Sequence, residues 1–372
     1  MTFTEEIAEK QTQVAAFLDR HKCDIVFLTE RCNFAWLTAG GTNHVVQGSD
    51  TGVATLAVTR DAVRCVTNTI EGPRMRTEEL RDRPIAVIDA PWYDAAAQTK
   101  IWADLIGGRK AVADKILPTM PAGVGALPAD FAELRWTLCA AELARYRELG
   151  ALVSEAVQAV AREVRPGQSE FETGAALTER LNRDGIRTPV ILMAADERIS
   201  LYRHPVPTDR KIRKRILLAT CAERGGLICS VTRLVSFEPL SDELRRKHAA
   251  VVRVDAAYYT ATQPGRTLGE ILAAGQAIYA ETGFADEWKL HHQGGPMGYL
   301  AREAKATPGS TLRVRADQAF GWNPSITGTK SEDTIIARPD GAEIITASNG
   351  WPMIEVSAGG KHWPRPDILI RA

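Results

Sequence analysis

The chain has 372 residues, 45% of them hydrophobic and 25% charged, and its 46 Lys and Arg residues balance 46 Asp and Glu residues. Zero formal charge excludes a global basic field that would recruit nucleic acid or an anionic membrane, so neither partner is expected. No window approaches 18 uninterrupted apolar residues, the N-terminus has no apolar signal core, and the six cysteines form no C-x-x-C pair. These features predict a cytoplasmic protein with reduced thiols.

The first 127 residues are predicted to form an α/β domain, because strand and helix patterns alternate along them. The predicted elements, in chain order, are a helix at 4–20, a strand at 24–29, a hairpin of strands at 54–59 and 63–67, a strand at 84–88 and a helix at 95–105. The Pro-rich segment 117–128 cannot hold a helix or a ladder, so the domain junction is placed there. The predicted domains are therefore 1–127 and 128–372.

The second domain begins with long helical patterns and ends with strands. Its predicted elements are helices at 140–164 and 169–183, a hairpin at 217–220 and 227–231, helices at 242–259 and 268–283, a Gly-rich loop at 291–298, a short helical-looking stretch at 299–306, and paired strands at 320–323 and 334–337. Ser169-x-x-Glu172 is a capping box for the second helix. The acidic pair Glu332-Asp333 enters the last strand.

Four local motifs in the second half carry a family resemblance. They are R-H-P-V-P-T at 203–208, the hairpin I-L-L-A-T-C-A-E-R-G-G-L-I-C-S-V-T-R at 216–233, H-H-Q-G-G-P-M-G at 291–298 and S-E-D-T at 331–334. In this order they resemble the "pitta-bread" family of creatinase, prolidase, aminopeptidase P and methionine aminopeptidase. The first half resembles the N-terminal domain of creatinase and prolidase, which methionine aminopeptidase lacks. The resemblance implies an α+β fold, with an N-terminal α/β domain followed by a C-terminal pitta-bread domain.

The resemblance also implies a dinuclear metal centre of two Asp, one His and two Glu, but this chain departs from it. The four positions without their ligand are Ala219, Ser230, Gly295 and Asn323. Only Glu332 keeps a carboxylate, and one carboxylate among neutral neighbours cannot hold two divalent ions at useful affinity. A replacement site of Cys221, Cys229 and His204 matches no standard zinc spacing. We therefore expect no metal cofactor.

Creatinase works without metal, and the resemblance of this chain to creatinase implies roles for the site residues that the chain keeps. His204, whose ordinary pKa is about 6.5, is expected to act as general acid and base, with Glu332 orienting the substrate. The expected substrate-binding residues are Arg302, His291, Thr232 and Asn323. A substrate already cationic at the reacting carbon needs no electrophilic metal. The hypothesis is metal-independent C–N hydrolysis, or a related elimination or cyclisation, of a small carboxylate-bearing amidino or amino-acid-type molecule.

Two alternatives stay open at this point. The chain is then either a Xaa-Pro dipeptidase-like or aminopeptidase-like metallopeptidase with an unorthodox site, or a catalytically inactive member of the fold that binds peptides. Cys221 as a nucleophile near His204 is disfavoured, because a buried hairpin thiol is the commoner state. By analogy with creatinase we expect a homodimer, in which residues around Asn43-His44 reach the partner's pocket.

Overall fold

The computed structural model describes residues 1–371, and their packing separates two units. Unit 1 comprises Met1–Arg135, Cys139–Glu142 and Gly225–Leu227, and unit 2 comprises the remaining described residues. A division by packing does not test whether each part folds alone. The predicted domain limits, 1–127 and 128–372, therefore stay a prediction.

Unit 1 is built around one six-stranded mixed sheet. Its strands are β1 Ile25–Glu30, β2 Thr51–Val58, β3 Val63–Asn68, β4 Ala86–Ala90, β5 Ala111–Ala113 and β6 Gly125–Ala126. They lie in the order β4-β3-β2-β1-β5-β6. The predicted hairpin is present, since β2 and β3 pair antiparallel from Val58 opposite Val63. Phe27 and Trp102 pack edge to face within the core on one side of this sheet.

The helices predicted at 4–20 and 95–105 are both present among the helices of the first 135 residues, and the others were not predicted. The helices of this part are α1 Phe3–His21, α2 Arg31–Leu37, the short α3 Gly72–Arg74 with the π-helical turn Met75–Glu79, α4 Ala95–Ile106 and the 3-10 segment Ala129–Arg135. Helix α1 begins at a capping box in which Thr2 and Glu5 satisfy each other's backbone N–H groups. Its apolar positions Val14 and Phe17 are fully buried, as the helical spacing predicts.

Helices flank the strands of the second half. They are α5 Ala140–Glu163, α6 Glu170–Arg183, α7 Arg198–Leu201, α8 Asp242–Ala261, α9 Leu268–Glu281 and the 3-10 segment Glu287–Leu290. The predicted capping box starts α6, where Glu172 N donates to Ser169 Oγ at 3.1 Å. None of the helices among residues 1–371 combines the length and the apolar character that crossing a membrane requires.

The strands of unit 2 form two four-stranded sheets and two small hairpins. They are β7 Arg187–Ala195, β8 Arg215–Arg224, β9 Leu227–Ser236, β10 Gly294–Met297, β11 Ala319–Trp322, β12 Ser325–Ile326, β13 Thr329–Lys330, β14 Asp333–Ile336, β15 Glu343–Ile344, β16 Met353–Ala358, β17 Lys361–Pro366 and β18 Leu369–Ile370. The sheets have the orders β18-β9-β8-β7 and β10-β11-β14-β15, and the hairpins are β12-β13 and β16-β17. The predicted strand pair is β11 and β14, with Trp322 opposite Asp333.

The stretch 299–306 is not helical, contrary to its sequence pattern. Its backbone instead bonds to β10, since Glu303 N donates to Pro296 O at 2.8 Å and Ala306 N donates to Gly294 O at 2.9 Å. A stretch this short gains too little from helical hydrogen bonds to offset nucleation, so pairing with the strand prevails.

The small hairpin β12-β13 is inserted between β11 and β14, and it positions both of their inner ends. Asn323 follows β11 and Glu332 precedes β14, so the two side chains face one region. A bridge between Thr232 of β9 and Glu332 joins the two large sheets at this point. The ends of β11 and β14 therefore bring polar residues of both large sheets together.

Candidate functional site

A cavity of about 150 Å³ lies in unit 2 where the two large sheets meet. It is lined by Val190, Leu192, His204, Ala219, Thr220, Cys221, His292, Ala301, Arg302, Asn323, Lys330 and Glu332. One part of the wall is apolar and the other carries imidazoles, two cations and one carboxylate. Apolar lining with a few convergent polar groups is typical of a small-molecule site.

Three histidines form a cluster at this cavity. His204 is exposed on the loop after α7, whereas His291 and His292 lie between the 3-10 segment Glu287–Leu290 and β10. The Nε2 atoms of His204 and His291 are 3.1 Å apart. The ring centroids of His291 and His292 are 4.7 Å apart. His204 and His291 were among the site residues predicted from sequence, and His292 was not.

All three imidazoles are held in the neutral form. Burial, then the charge of Lys330, lowers the pKa of His291 to about 2. Burial, then the charges of Arg302 and Lys305, lowers the pKa of His292 to about 4. The pKa of His204 is also lowered by burial and by Lys330. Neutral imidazoles offer a lone pair for a proton or a metal ion.

Glu332 is buried and ionised. Its Oε2 accepts from Lys330 Nζ and from Thr232 Oγ1, both at 2.6 Å, and its Oε1 lies 3.4 Å from Arg302 Nη2. Burial would raise its pKa, but the charges of Lys330 and Arg302 and these hydrogen bonds lower the pKa to about 2. Glu332 therefore stays a carboxylate at any physiological pH and cannot donate a proton.

Arg302 contacts both the amide of Asn323, which follows β11, and the carboxylate of Glu332, which precedes β14. Its Nη2 donates to Asn323 Oδ1 at 3.0 Å and lies 3.4 Å from Glu332 Oε1. Its Nε is buried and has no hydrogen-bond partner among the described residues. The resemblance to creatinase implied that Arg302 binds the substrate but did not imply this ion pair with Glu332.

Lys330 is a charged residue of this cavity wall that was not predicted from the sequence. It is only 8% exposed, and its ammonium group contacts Glu332 directly. The sequence did contain a signal for Lys330, because it lies two residues before Glu332. Residues two apart on an extended segment face the same side. Two cations therefore face one carboxylate, which leaves an excess positive charge at the cavity.

The positions at which the resemblance implies metal ligands carry no substitutes. Ala219 is a buried alkyl group on the cavity wall, and Ser230 Oγ points to Met297 Sδ at 3.9 Å. A side chain at Gly295 would collide with the carbonyl oxygen of Ala304. Asn323 is an amide already bonded to Arg302. The residues present do not fit a pair of ions at these positions.

Cys221 also lines the cavity, but it is no nucleophile in this state. Burial, then the charge of Glu332, raises the pKa of its thiol to about 11. A thiol with so high a pKa carries almost no thiolate near neutrality. The high pKa supports the expectation that Cys221 is not a nucleophile.

The comparisons with known proteins come from sequence and from structure. The model of "Metallopeptidase family M24" matches residues 144–341. "Probable dipeptidase PepE" of Mycobacterium bovis is 23% identical over 296 residues, which cover 73% of this chain and 78% of that protein. The Xaa-Pro dipeptidase from Bacillus anthracis has a TM-score of 0.76 at 16% identity and covers 98% of this chain and 100% of its own. The Pyrococcus horikoshii prolidase has a TM-score of 0.76 at 17% identity, with coverages of 92% and 99%.

These findings confirm the predicted fold class and overturn one expectation. The fold of solved prolidases and dipeptidases extends over nearly the whole chain. The expectation of no metal cofactor is wrong, because the matching model describes a family of metallopeptidases. In addition, one ring nitrogen each of His204, His291 and His292 lies within 4.8 Å of the others, so these residues can hold a metal ion. The expectation rested on the ligand positions that the resemblance implies and on a replacement site of Cys221, Cys229 and His204, and it did not include this histidine cluster.

Proposed function

The chain belongs to metallopeptidase family M24 and is a hydrolase, and from this premise we propose that it cleaves dipeptides of the Xaa-Pro type in the cavity of unit 2. The single observation that carries the proposal is the excess positive charge at this cavity, where Lys330 and Arg302 face Glu332, the one carboxylate among the described residues of its wall. A buried excess charge attracts an oppositely charged group. The C-terminal carboxylate of a dipeptide supplies such a group next to the scissile bond.

The same charge balance disfavours the amidino substrate suggested by creatinase. A guanidinium stays protonated at every accessible pH and would add a further cation beside Lys330 and Arg302. The α-amine of a dipeptide has an ordinary pKa of about 7.7–8.0, so it can release its proton in a cationic site. The related dipeptidases and prolidases support the same choice.

The apolar wall suits proline in the second position of the substrate. Val190, Leu192, Ala219 and Ala301 offer no hydrogen-bonding side chain to a bound group. A Xaa-Pro peptide bond has no N–H group, so no hydrogen-bond donor is left without an acceptor when the bond lies against this wall. The cavity of about 150 Å³ is also smaller than the ~300–1,000 Å³ typical of drug-sized sites, which favours short substrates.

Each polar residue then has a proposed task. Arg302 and Lys330 bind the substrate carboxylate, and a guanidinium and an ammonium both form charge-assisted hydrogen bonds with it. Glu332, held by Thr232, positions the two cations. Asn323 fixes the plane of the Arg302 guanidinium by accepting from its Nη2. The proton-transfer role of His204 stays a prediction.

The test is a substrate panel with the full-length protein, supplied in turn with Zn²⁺, Co²⁺ and Mn²⁺. The panel contains Ala-Pro, Leu-Pro, Ala-Ala, the amidated Ala-Pro-NH₂ and guanidino acids including creatine. We expect Xaa-Pro dipeptides to be cleaved, and amidation to raise KM at least ~10-fold, since it removes the charge that Arg302 and Lys330 bind. Failure to cleave any dipeptide with any ion, or turnover of guanidino acids alone, would overturn the proposal.

We also propose that the protein is a homodimer and that it acts in the cytoplasm. Light scattering on the purified chain gives the molar mass that decides the first, and a mass of one chain at micromolar concentration would contradict it. Fractionation of the native cells decides the second.

A further inference from the structure

The histidine cluster has the geometry of a ligand set for one ion. His204 and His291 approach through their Nε2 atoms at 3.1 Å, and a ring nitrogen of His292 lies within 4.8 Å of both. Two nitrogens bound tetrahedrally to one ion at about 2.0–2.1 Å are separated by roughly 3.3 Å. The observed separation of the two Nε2 atoms is close to that value, so a single ion could bind both with little movement of the rings.

The hydrogen bonds of His291 place its lone pair on Nε2, the atom that faces His204, and an ion bound there would replace the hydrogen bond from Asn323. Its Nδ1 lies 3.3 Å from Ser325 Oγ, and its Nε2 lies 3.3 Å from Asn323 Nδ2. The amide nitrogen can only donate, so Nε2 accepts, and the ring proton resides on Nδ1 facing Ser325. Metal-binding histidines are commonly oriented in this way, by a partner of the nitrogen that does not bind the metal.

An independent observation comes from His292. Its Nδ1 is buried and has no hydrogen-bond partner among residues 1–371. A buried polar atom without a partner costs free energy, and such atoms in a native protein point to a missing ligand, ion or water. The ring lies against both other imidazoles, with centroids 4.7 Å from His291 and 5.8 Å from His204. A metal ion in the cluster can satisfy the ligand atoms of all three rings.

The surroundings of the cluster select the kind of ion. The ligands are three neutral nitrogens, and the nearby cations Lys330 and Arg302 repel any positive ion, so an ion binds here only if it forms strong bonds to imidazole nitrogen, which a guanidinium group cannot do. Hard ions such as Mg²⁺ and Mn²⁺ depend on carboxylate oxygens, whereas Zn²⁺, Co²⁺ and Ni²⁺ bind imidazole well. The carboxylate of Glu332 is already engaged by Lys330 and Thr232. The site therefore favours an imidazole-binding ion.

We propose that His204, His291 and His292 form a mononuclear metal site for an imidazole-binding divalent ion such as Zn²⁺, in place of a carboxylate-bridged pair of ions. Three protein ligands leave a coordination position open, as in catalytic zinc sites. The proposal gives His204 a ligand role instead of the acid and base role predicted for it. It goes beyond the proposed function, because such a site can bind metal whether or not dipeptides are cleaved.

The test measures metal binding and not turnover. The untagged full-length protein, stripped by chelator and dialysed, is titrated with Co²⁺ and followed by visible d–d absorption, and with Zn²⁺ and Mn²⁺ by calorimetry. We expect one Co²⁺ or Zn²⁺ per chain, tighter binding of Zn²⁺ than of Mn²⁺, and a visible band typical of a four- or five-coordinate ion. Two ions per chain, preference for Mn²⁺, or no saturable binding would overturn the proposal.

Variants locate the ion. His204→Ala removes an exposed ligand, so it should leave the fold intact and weaken Co²⁺ binding about 100-fold or more, since losing even a supporting residue costs 10–100-fold. His292→Ala should have a similar effect, and its melting temperature shows that it is folded. His362→Ala, an exposed histidine of β17, is the matched control and should bind as the wild type does. Unchanged binding in both folded site variants would overturn the assignment.

Discussion

Glu332 and Asp333 are neighbours in the chain, yet they belong to two different charge clusters in unit 2. Asp333 bonds to Arg233 Nη2 at 2.8 Å and to Arg365 Nη2 at 2.6 Å, and Arg365 also pairs with Asp255 at 2.8 Å. Two carboxylates and two guanidinium groups balance there, all at most 1% exposed. Successive residues of a strand point to opposite sides, so the chain reaches both clusters in consecutive positions.

The cluster of Glu332 is built differently. One carboxylate faces two cations, Lys330 and Arg302, and three neutral imidazoles lie beside it. Two buried nitrogen atoms, Arg302 Nε and His292 Nδ1, have no hydrogen-bond partner among the described residues. The Asp333 cluster has one such atom, Asp255 Oδ1, but no excess of charge. The difference indicates that the Asp333 cluster holds the sheets together, and it supports the proposal that the Glu332 cluster binds a ligand.

The largest expected effect is on stability, from breaking the balanced cluster. Arg233→Met leaves Asp333 with one guanidinium group and removes the donors to Thr232 O and Ser348 Oγ. Removing one partner of a buried ion pair costs about 3–5 kcal/mol, so the urea midpoint should fall markedly. Arg180→Met is the matched control, because Arg180 pairs with Glu163 on the surface and should matter by less than ~1 kcal/mol. An equal loss of unfolding free energy in the two variants would contradict the claim that the buried ion pair contributes more to stability than the exposed one.

A smaller effect is expected from Glu332→Gln, and it should depend on pH. The pKa of Glu332 is about 2 in the folded chain, below its ordinary value of 4.5. Its stabilisation is therefore complete above pH 4.5 and is lost as the pH falls toward 2, and at neutral pH it is on the order of 3 kcal/mol. Denaturation of the wild type and the variant at pH 7 and pH 3 measures this. A stability difference that stays constant over that range would contradict the low pKa.

The smallest expected effect concerns binding of the substrate carboxylate. Lys330→Met removes the excess positive charge, so KM for Ala-Pro should rise about 10-fold, which corresponds to about 1.4 kcal/mol. KM for the amidated peptide should hardly change, because it has no carboxylate to lose. Lys289→Met, an exposed lysine paired with Asp286, is the charge-matched control. The same rise in KM for both substrates would show that Lys330 only supports the structure.

The secondary structure could largely be predicted from periodicity and capping. Helix α6 begins at the Ser169–Glu172 box, and the β11–β14 pair lies where the apolar strands were predicted. The stretch around Arg302 was misjudged, since its hydrogen bonds go to β10, and a local pattern carries no information on pairing with a distant strand.

Four residues that were proposed for the site from sequence line the cavity, but Lys330 was missed and the arrangement could not be predicted. His204, Arg302, Asn323 and Glu332 do line one cavity. Their mutual contacts depend on tertiary packing, such as the meeting of His204 with His291, which is 87 residues away in the chain. The expectation of no metal failed for this reason, because a cluster assembled from two distant segments leaves no spacing motif in the sequence.

The most direct test is a crystal structure of the protein soaked with Zn²⁺ and a non-cleaved Xaa-Pro analogue, with anomalous data collected at the zinc edge. The account predicts one anomalous peak between the imidazole nitrogens of His204, His291 and His292. It also predicts the analogue's carboxylate at Arg302 and Lys330. Two peaks, or a single peak on Glu332 and Asn323 without imidazole ligands, would contradict it.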